Sequence, residues 1–193
     1  MITQADLPPA VDRMRNNAML AVGRDFGMAP PTPAELAEAR ELAGTLMDHK
    51  VVGIDTLNAV LAIQPASTLI YKEDGKVTGV SGQLILTSAA FAPLLAGAFD
   101  AVNLDTTYLA REGELVALGY GWGIAASTKP AGYAVSNAGR VIRETLFPNI
   151  ATFTKAVTAI GRHVALTRYG YQPLRHPDDD LMISFAKQQA AAA

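Results

Sequence analysis

Few residues in this chain have the types and spacing for chemistry, and most of them fail on inspection. There is no cysteine, which excludes disulfides, thiolate metal sites and a cysteine nucleophile. His176 stands beside Pro177 and the run Asp178-Asp179-Asp180. Consecutive acids point in different directions and no second cluster completes a ligand set, so this reads as a solvated turn and no metal is expected. His49 closes a predicted helix as a C-terminal cation. His163 shares a helical side with Ala159 and Thr167 and reads as a surface residue. Two tyrosines remain as weak catalytic candidates, Tyr120 in a long apolar run and Tyr169 beside a glycine turn. For Tyr120 the preferred reading is a core aromatic with its hydroxyl at an edge.

A stronger pattern is GWGIAASTKPAGYAV at 121–135. A strand-like run breaks at Ser127-Thr128-Lys129-Pro130 and resumes as a helix-like run after Gly132. Such a junction aims backbone N–H groups at one point, where an anion can bind. Gly132 lets a phosphate approach closely, and small Ala134 lets the helix start near it. Lys129 adds a point charge without the forked geometry of arginine. Pro130 cuts the other way, because it has no N–H. An ordinary strand-loop-helix connection with a turn glycine fits the same residues.

The strand before that loop alternates Gly119, Gly121, Gly123 and Ala125 with Tyr120, Trp122 and Ile124. With period two, one face is nearly bare and the other bulky. Glycine within a strand marks close approach of a ligand, or of a helix packed on the sheet. The spacing is not a dinucleotide fingerprint, since the glycines lie within the strand and not at its turn into a helix.

These residues need a scaffold. The chain has 193 residues, half of them hydrophobic, enough for one domain with a real core and marginal for two. A net charge of -2 gives no argument for nucleic acid or an anionic membrane as partner. The N-terminus lacks a basic start followed by an apolar core, so it is not a signal peptide. The longest apolar run, 115–126, is too short to span a bilayer. A soluble, cytoplasmic protein is expected.

Asp6, Pro8 and Pro9 predict a first helix start, with Val11, Met14, Ala18 and Val22 at helical spacing. Thr32, Pro33 and Glu35 spell a capping box for a second helix. A third helix is predicted over 55–65, then a strand over 67–71, an Asp74-Gly75 hairpin turn and a return strand over 77–87. Ser88 caps a short helix ending at Gly97, and residues 98–110 have no assignment. Further on come a strand over 115–126, a helix over 134–146, a strand over 150–155, a helix over 159–169 and short strands at 171–174 and 181–185. The tail 187–193 is of low complexity.

This order resembles the GNAT superfamily of acyl-CoA-dependent N-acyltransferases. There a long central strand runs into a loop of pattern Arg/Gln-x-x-Gly-x-Gly/Ala that opens the next helix. Lys129-Pro130-Ala131-Gly132-Tyr133-Ala134 matches at Gly132 and Ala134, with Lys129 where Arg or Gln is usual. Tyr169-Gly170-Tyr171-Gln172-Pro173-Leu174 looks like the family's closing turn into its last strands. The resemblance spans roughly residues 55–185 and implies a mixed, largely antiparallel α/β (α+β) sheet flanked by helices. It implies an extension over 1–50, an acyltransferase domain over 51–186 and a tail over 187–193. It further implies that acetyl-CoA or another acyl-CoA is held by Ile124, Ala125, Ala126, Lys129, Ala131, Gly132, Tyr133 and Ala134. A main-chain amide near 124–126 would polarise the thioester. The strands ending near Ala126 and starting near Ile150 would be parallel neighbours that splay around a pantetheine arm lying on the bare glycine face, with the helix near Gly132 pointing its N-terminus into the cleft. Many members carry a tyrosine proton donor where this chain has Leu166. Arg140 and Arg143 are surface charges or reach an outer phosphate. The expected activity is direct transfer to an unidentified amine; a homodimer is left open. The alternatives are a catalytically silent acyl-CoA-binding or protein-interaction module, and an unrelated α+β domain whose loop binds nothing.

Overall fold

A computed structural model describes residues 3, 6–47, 51–175 and 180–185. His49, His176, Asp178, Asp179 and the tail 187–193 lie outside the described residues.

The sheet is organised by one tight turn. Asp74 and Gly75 both adopt positive φ, 51° and 79°, which makes a two-residue connection between β3 (Thr68–Glu73) and β4 (Lys76–Leu86). Glu73 faces Lys76 across it, so the turn sets the register of both strands. β4 pairs antiparallel with β6 (Leu118–Ala126), the central strand. β6 pairs in parallel with β7 (Ala151–Lys155), a connection that needs the crossover helix α5 (Lys129–Val141). With β2 (Met28–Ala29) at one edge and β9 (Leu181–Phe185) and β8 (Gln172–Pro173) at the other, the order is β2-β3-β4-β6-β7-β9-β8. Every other neighbouring pair is antiparallel. The elements follow the succession predicted from the sequence and form a mixed, mostly antiparallel α/β sheet.

The first helix starts later than its spacing predicts. Pro8 and Pro9 lead into an extended segment, and β1 (Asp12–Arg13) pairs with β5 (Leu115–Val116) as a separate ribbon. α1 therefore spans Asn16–Asp25, and its start is capped by a distant residue: Glu112 Oε2 accepts from the Asn16 N–H at 2.8 Å and from its Nδ2 at 2.9 Å. The expected single strand over 115–126 is divided at Ala117, with β5 pairing one way and β6 the other. α2 (Pro33–Leu46) carries the predicted capping box, with Thr32 N–H donating to Glu35 Oε2 at 2.8 Å. α3 spans Ile54–Ile63, α4 spans Phe91–Ala96 and ends at left-handed Gly97, and α6 spans Ala159–Arg168. Residues 1–50 thus supply both helices and an edge strand of the main sheet.

Two apolar layers cover the sheet. On one face Met19, Ile85, Val135, Ala138, Phe147 and Ile150 pack between α1, α5 and the sheet. On the other, Val60, Leu84, Phe91, Leu118, Tyr120 and Phe153 pack together. Buried Gln64 ties the sheet to the segment after α4: its Nε2 donates to the carbonyls of Ile85 and Ala110, and its Oε1 accepts from Ile85 N–H. α5 lies close on β4 because Gly79 has no side chain; a Cβ there would meet Ala131 Cβ and Val135 Cγ1, both at 3.0 Å.

Candidate functional site

The parallel pairing of β6 and β7 covers only four residues, from Leu118↔Ala151 to Gly121↔Thr154. β6 continues through 122–126 with no ladder partner on that side, while β7 ends at Lys155. The two strands part, and a cleft of about 460 Å³ opens between them, roofed by α5 and the start of α6. Its mouth is apolar: Ile124 is 42% exposed and Ile160 79%. Its α5 wall carries small residues at helical spacing, Gly132, Ser136 and Gly139, with Arg140 beside them.

A β-bulge corrects the expected bare face. Between Gly82↔Gly123 and Gln83↔Gly121 the central strand carries one extra residue, Trp122. An extra residue reverses the alternation beyond it. Gly119 and Gly121 face the α5 side with Ile85 and Gln83, and beyond the bulge Ile124 and Ala126 take over that side. Gly123 and Ala125 turn to the opposite face, where Met47 Cε would lie 3.5 Å from a Cβ on Gly123. Trp122 is tied down by its indole N–H, which donates to Ala101 O at 2.7 Å.

The start of α5 also differs from the predicted one. The helix begins at Lys129, not at Ala134, because Thr128 caps it and Pro130 sits in its first turn, where a missing N–H costs nothing. The Gly132 N–H therefore donates within the helix to Thr128 O at 2.9 Å, and the Ala131 N–H donates to Thr128 Oγ1 at 3.2 Å. Thr128 Oγ1 in turn donates to Glu73 Oε2 at 2.5 Å, so a carboxylate already stands at this helix end. Gly132 has negative φ and only Ala126 Cβ, at 3.9 Å, near the place of its missing side chain. Its flank is open space toward the cleft, not a conformational need.

Ile124, Ala125, Ala126 and Gly132 of the expected binding residues line the cleft. Ala131 and Ala134 are buried beneath it, and Lys129 and Tyr133 are exposed, the latter by 67%. Tyr120 is 5% exposed, with its ring 5.0 Å from that of Phe99; burial pushes its hydroxyl pKa up to about 12. Tyr169 lines the cleft, donates its hydroxyl to Ser136 O at 3.1 Å, and has its pKa raised by burial. His163 is exposed on α6. Arg140 pairs with Glu144 at 2.8 Å, but Arg143 is not a surface charge: it is 6% exposed and lines the inner end of the cleft. Sequence reasoning missed Thr152 and Thr154, whose alternation on β7 faces them to Gly119 and Gly121. It also missed the stripe Gly132-Ser136-Gly139-Arg143, whose spacing of four, three and four was readable. Among the described residues no group of acids and histidines could hold a metal, and no helix is long and apolar enough to cross a membrane.

No family model matches the chain. No curated protein matches it. Among solved structures it is similar to a Corynebacterium glutamicum protein described as histone acetyltransferase HPA2 and related acetyltransferase, at 14% identity, a TM-score of 0.42, and coverage of 81% of this chain and 93% of that one.

Proposed function

We propose that the protein is an N-acyltransferase that takes its acyl group from acetyl-CoA or a related acyl-CoA. The observation that supports this is the parting of β6 and β7 beyond Gly121↔Thr154, which leaves a cleft beside a stretch of central strand that is unpaired on that side. A pantetheine arm is long, narrow and able to hydrogen-bond to strand edges, and it suits a groove walled by glycine and serine. Ile124 and Ile160 give the mouth an apolar rim, and the open flank of Gly132 leaves room for a phosphate beside the first turn of α5. Lys129 adds positive charge there, and Glu73 opposes it.

In the reaction the amine nitrogen attacks the thioester carbonyl. A C–N bond forms, the C–S bond breaks, and the proton lost by the amine ends on the departing thiolate. In this reading a main-chain amide at 122–126, on the side without a ladder partner, stabilises the developing oxyanion. Tyr169 is the better proton carrier of the two tyrosines. It lines the cleft on the α5 side, and its raised pKa keeps it protonated at neutral pH. Tyr120 is packed into the opposite layer.

A second proposal, a silent acyl-CoA-binding module, is favoured by one specific observation: no aspartate, glutamate or histidine lines the cleft among the described residues. The test is a thermal-shift measurement with coenzyme A, acetyl-CoA and longer acyl-CoAs, followed by mass spectrometry of mixtures with an amine panel. Stabilisation together with an acylated amine is expected. Stabilisation without product selects the silent module, and no stabilisation by any coenzyme A species rejects both.

A further inference from the structure

The proposed reaction uses Tyr169 but gives no role to the Arg143 guanidinium beside it, at the inner end of the cleft. Arg143 stands there, on a single π-helical stretch, Ile142–Leu146, that continues α5. Such widened turns often re-aim a side chain at a functional site. The guanidinium packs against two aromatic rings that meet edge to face, its carbon 5.8 Å from the centroid of Tyr169 and 5.7 Å from that of Tyr171. Nη1 donates to Tyr169 O at 3.4 Å and to Ser184 Oγ at 3.5 Å, both at the limit of hydrogen bonding. Nε and Nη2 are buried and make no hydrogen bond among the described residues. The carboxylate beside them, Glu144, lies 3.8 Å from Nη2 and is already held by Arg140 at 2.8 Å. In the same cavity, Thr152 Oγ1 is also buried with no hydrogen-bond partner.

A buried cation whose one carboxylate stands at 3.8 Å and is shared with Arg140 is incompletely compensated, which is costly, and so is a buried hydroxyl left unpaired. Nε and Nη2 form the side edge of the guanidinium fork, whose two parallel N–H groups match the two oxygens of a carboxylate. One guanidinium balances one negative charge, which suits a carboxylate better than a phosphate dianion. The site is also separate from the start of α5: Arg143 lies eleven residues beyond Gly132, about 16 Å along the helix at 1.5 Å per residue.

We infer that the inner end of the cleft is a carboxylate site, in which Arg143 grips a substrate carboxylate through Nε and Nη2 and Thr152 Oγ1 adds a hydrogen bond. Resting on the acyltransfer proposal, this names the substrate class: a small molecule with a free carboxylate, carried either by the acceptor amine or by the far end of the acyl group.

The test is isothermal titration of wild type, Arg143→Gln and Thr152→Val with propionate, succinate and β-alanine, each beside its neutral amide, and with coenzyme A in parallel. At least one carboxylate should bind the wild type about tenfold or more tighter than its amide. Arg143→Gln should erase that preference, Thr152→Val should weaken binding a few-fold, and both should leave coenzyme A affinity unchanged. If Arg143→Gln does not fold, the amide comparison in the wild type and the Thr152→Val series decide alone. Failure of all the carboxylates on the wild type, or equal binding by the folded Arg143→Gln variant, overturns the site and leaves water as its occupant. Carboxylate binding without coenzyme A binding instead sinks acyltransfer and keeps the site. Turnover of acetyl-CoA with β-alanine, against succinyl-CoA with a neutral amine, assigns the carboxylate to acceptor or donor. No Arg143-dependent product in either arm overturns the substrate assignment.

Discussion

At its N-terminal end α5 is exposed and already hydrogen-bonded: Thr128 takes the Ala131 N–H, Gly132 is bonded within the helix, and Glu73 backs the cap. At its other end the same element is buried and short of partners: Arg143 Nε and Nη2 make no hydrogen bond among the described residues, beside two tyrosine rings and with Glu144 only at 3.8 Å. A solvated helix end can satisfy itself with water and a cap, and binds a ligand only by leaving space. A buried end cannot, so an unmatched group there is a standing demand for a ligand. The contrast implies that ligand recognition at the first end is a matter of access and at the second a matter of charge.

The largest effect should come from buried hydroxyls, Tyr171 at this end of α5 and Tyr120 in the opposite layer. Burial raises the pKa of Tyr171, as it does that of Tyr120, to about 12, above the unfolded value near 10. Both states hold the proton below pH 10, so the stabilisation is intact there. Between pH 10 and 12 the unfolded chain loses its protons first, and stability falls by several kcal/mol in order of magnitude. Denaturant unfolding across that range should show the decline; flat stability to pH 12 would mean that these rings are not sealed.

Next come the first two turns of α5, where the helix lies on β4. Gly79→Val places carbon at 3.0 Å from Ala131 and Val135, and should cost about 1–3 kcal/mol through displacement of α5. A urea midpoint equal to wild type would show that α5 floats free of β4.

At the open end, Gly132→Val should leave stability nearly unchanged, since the site of its side chain is open and φ is negative. It should nevertheless weaken coenzyme A more than about tenfold, or ~1.4 kcal/mol, by filling the phosphate's space. Equal affinities by calorimetry would remove coenzyme A from this end of the cleft.

The smallest effect tests charge at that same end. Glu73→Gln removes a carboxylate from the helix start, and coenzyme A should bind a few-fold tighter, within the ~0.3–1 kcal/mol typical of charges near a helix terminus. No change, or weaker binding, would place the phosphates away from Thr128.

The sequence by itself determined the local devices. Thr32-Pro33-x-Glu35 makes its capping box wherever it is placed, Asp74-Gly75 supplies two positive φ angles, and Gly97 closes α4. Each depends on a few neighbouring residues, so it is written in one short stretch. The succession of helices and strands is legible in apolar periodicity, whereas the parallel pair is expected only through the family resemblance and the order of strands across the sheet is not foreseen. Only the tertiary structure decided the rest. The bulge at Trp122 depends on the register of β4 against β6, so the glycine stripe that looked continuous is divided between two faces. The start of α1 is set by Glu112, nearly a hundred residues away, and the start of α5 by a cap linked to Glu73 on another strand. Arg143 reads as a surface charge until β9 and the turn after α6 close over it. Burial is a property of what packs above a residue, and no local pattern records that.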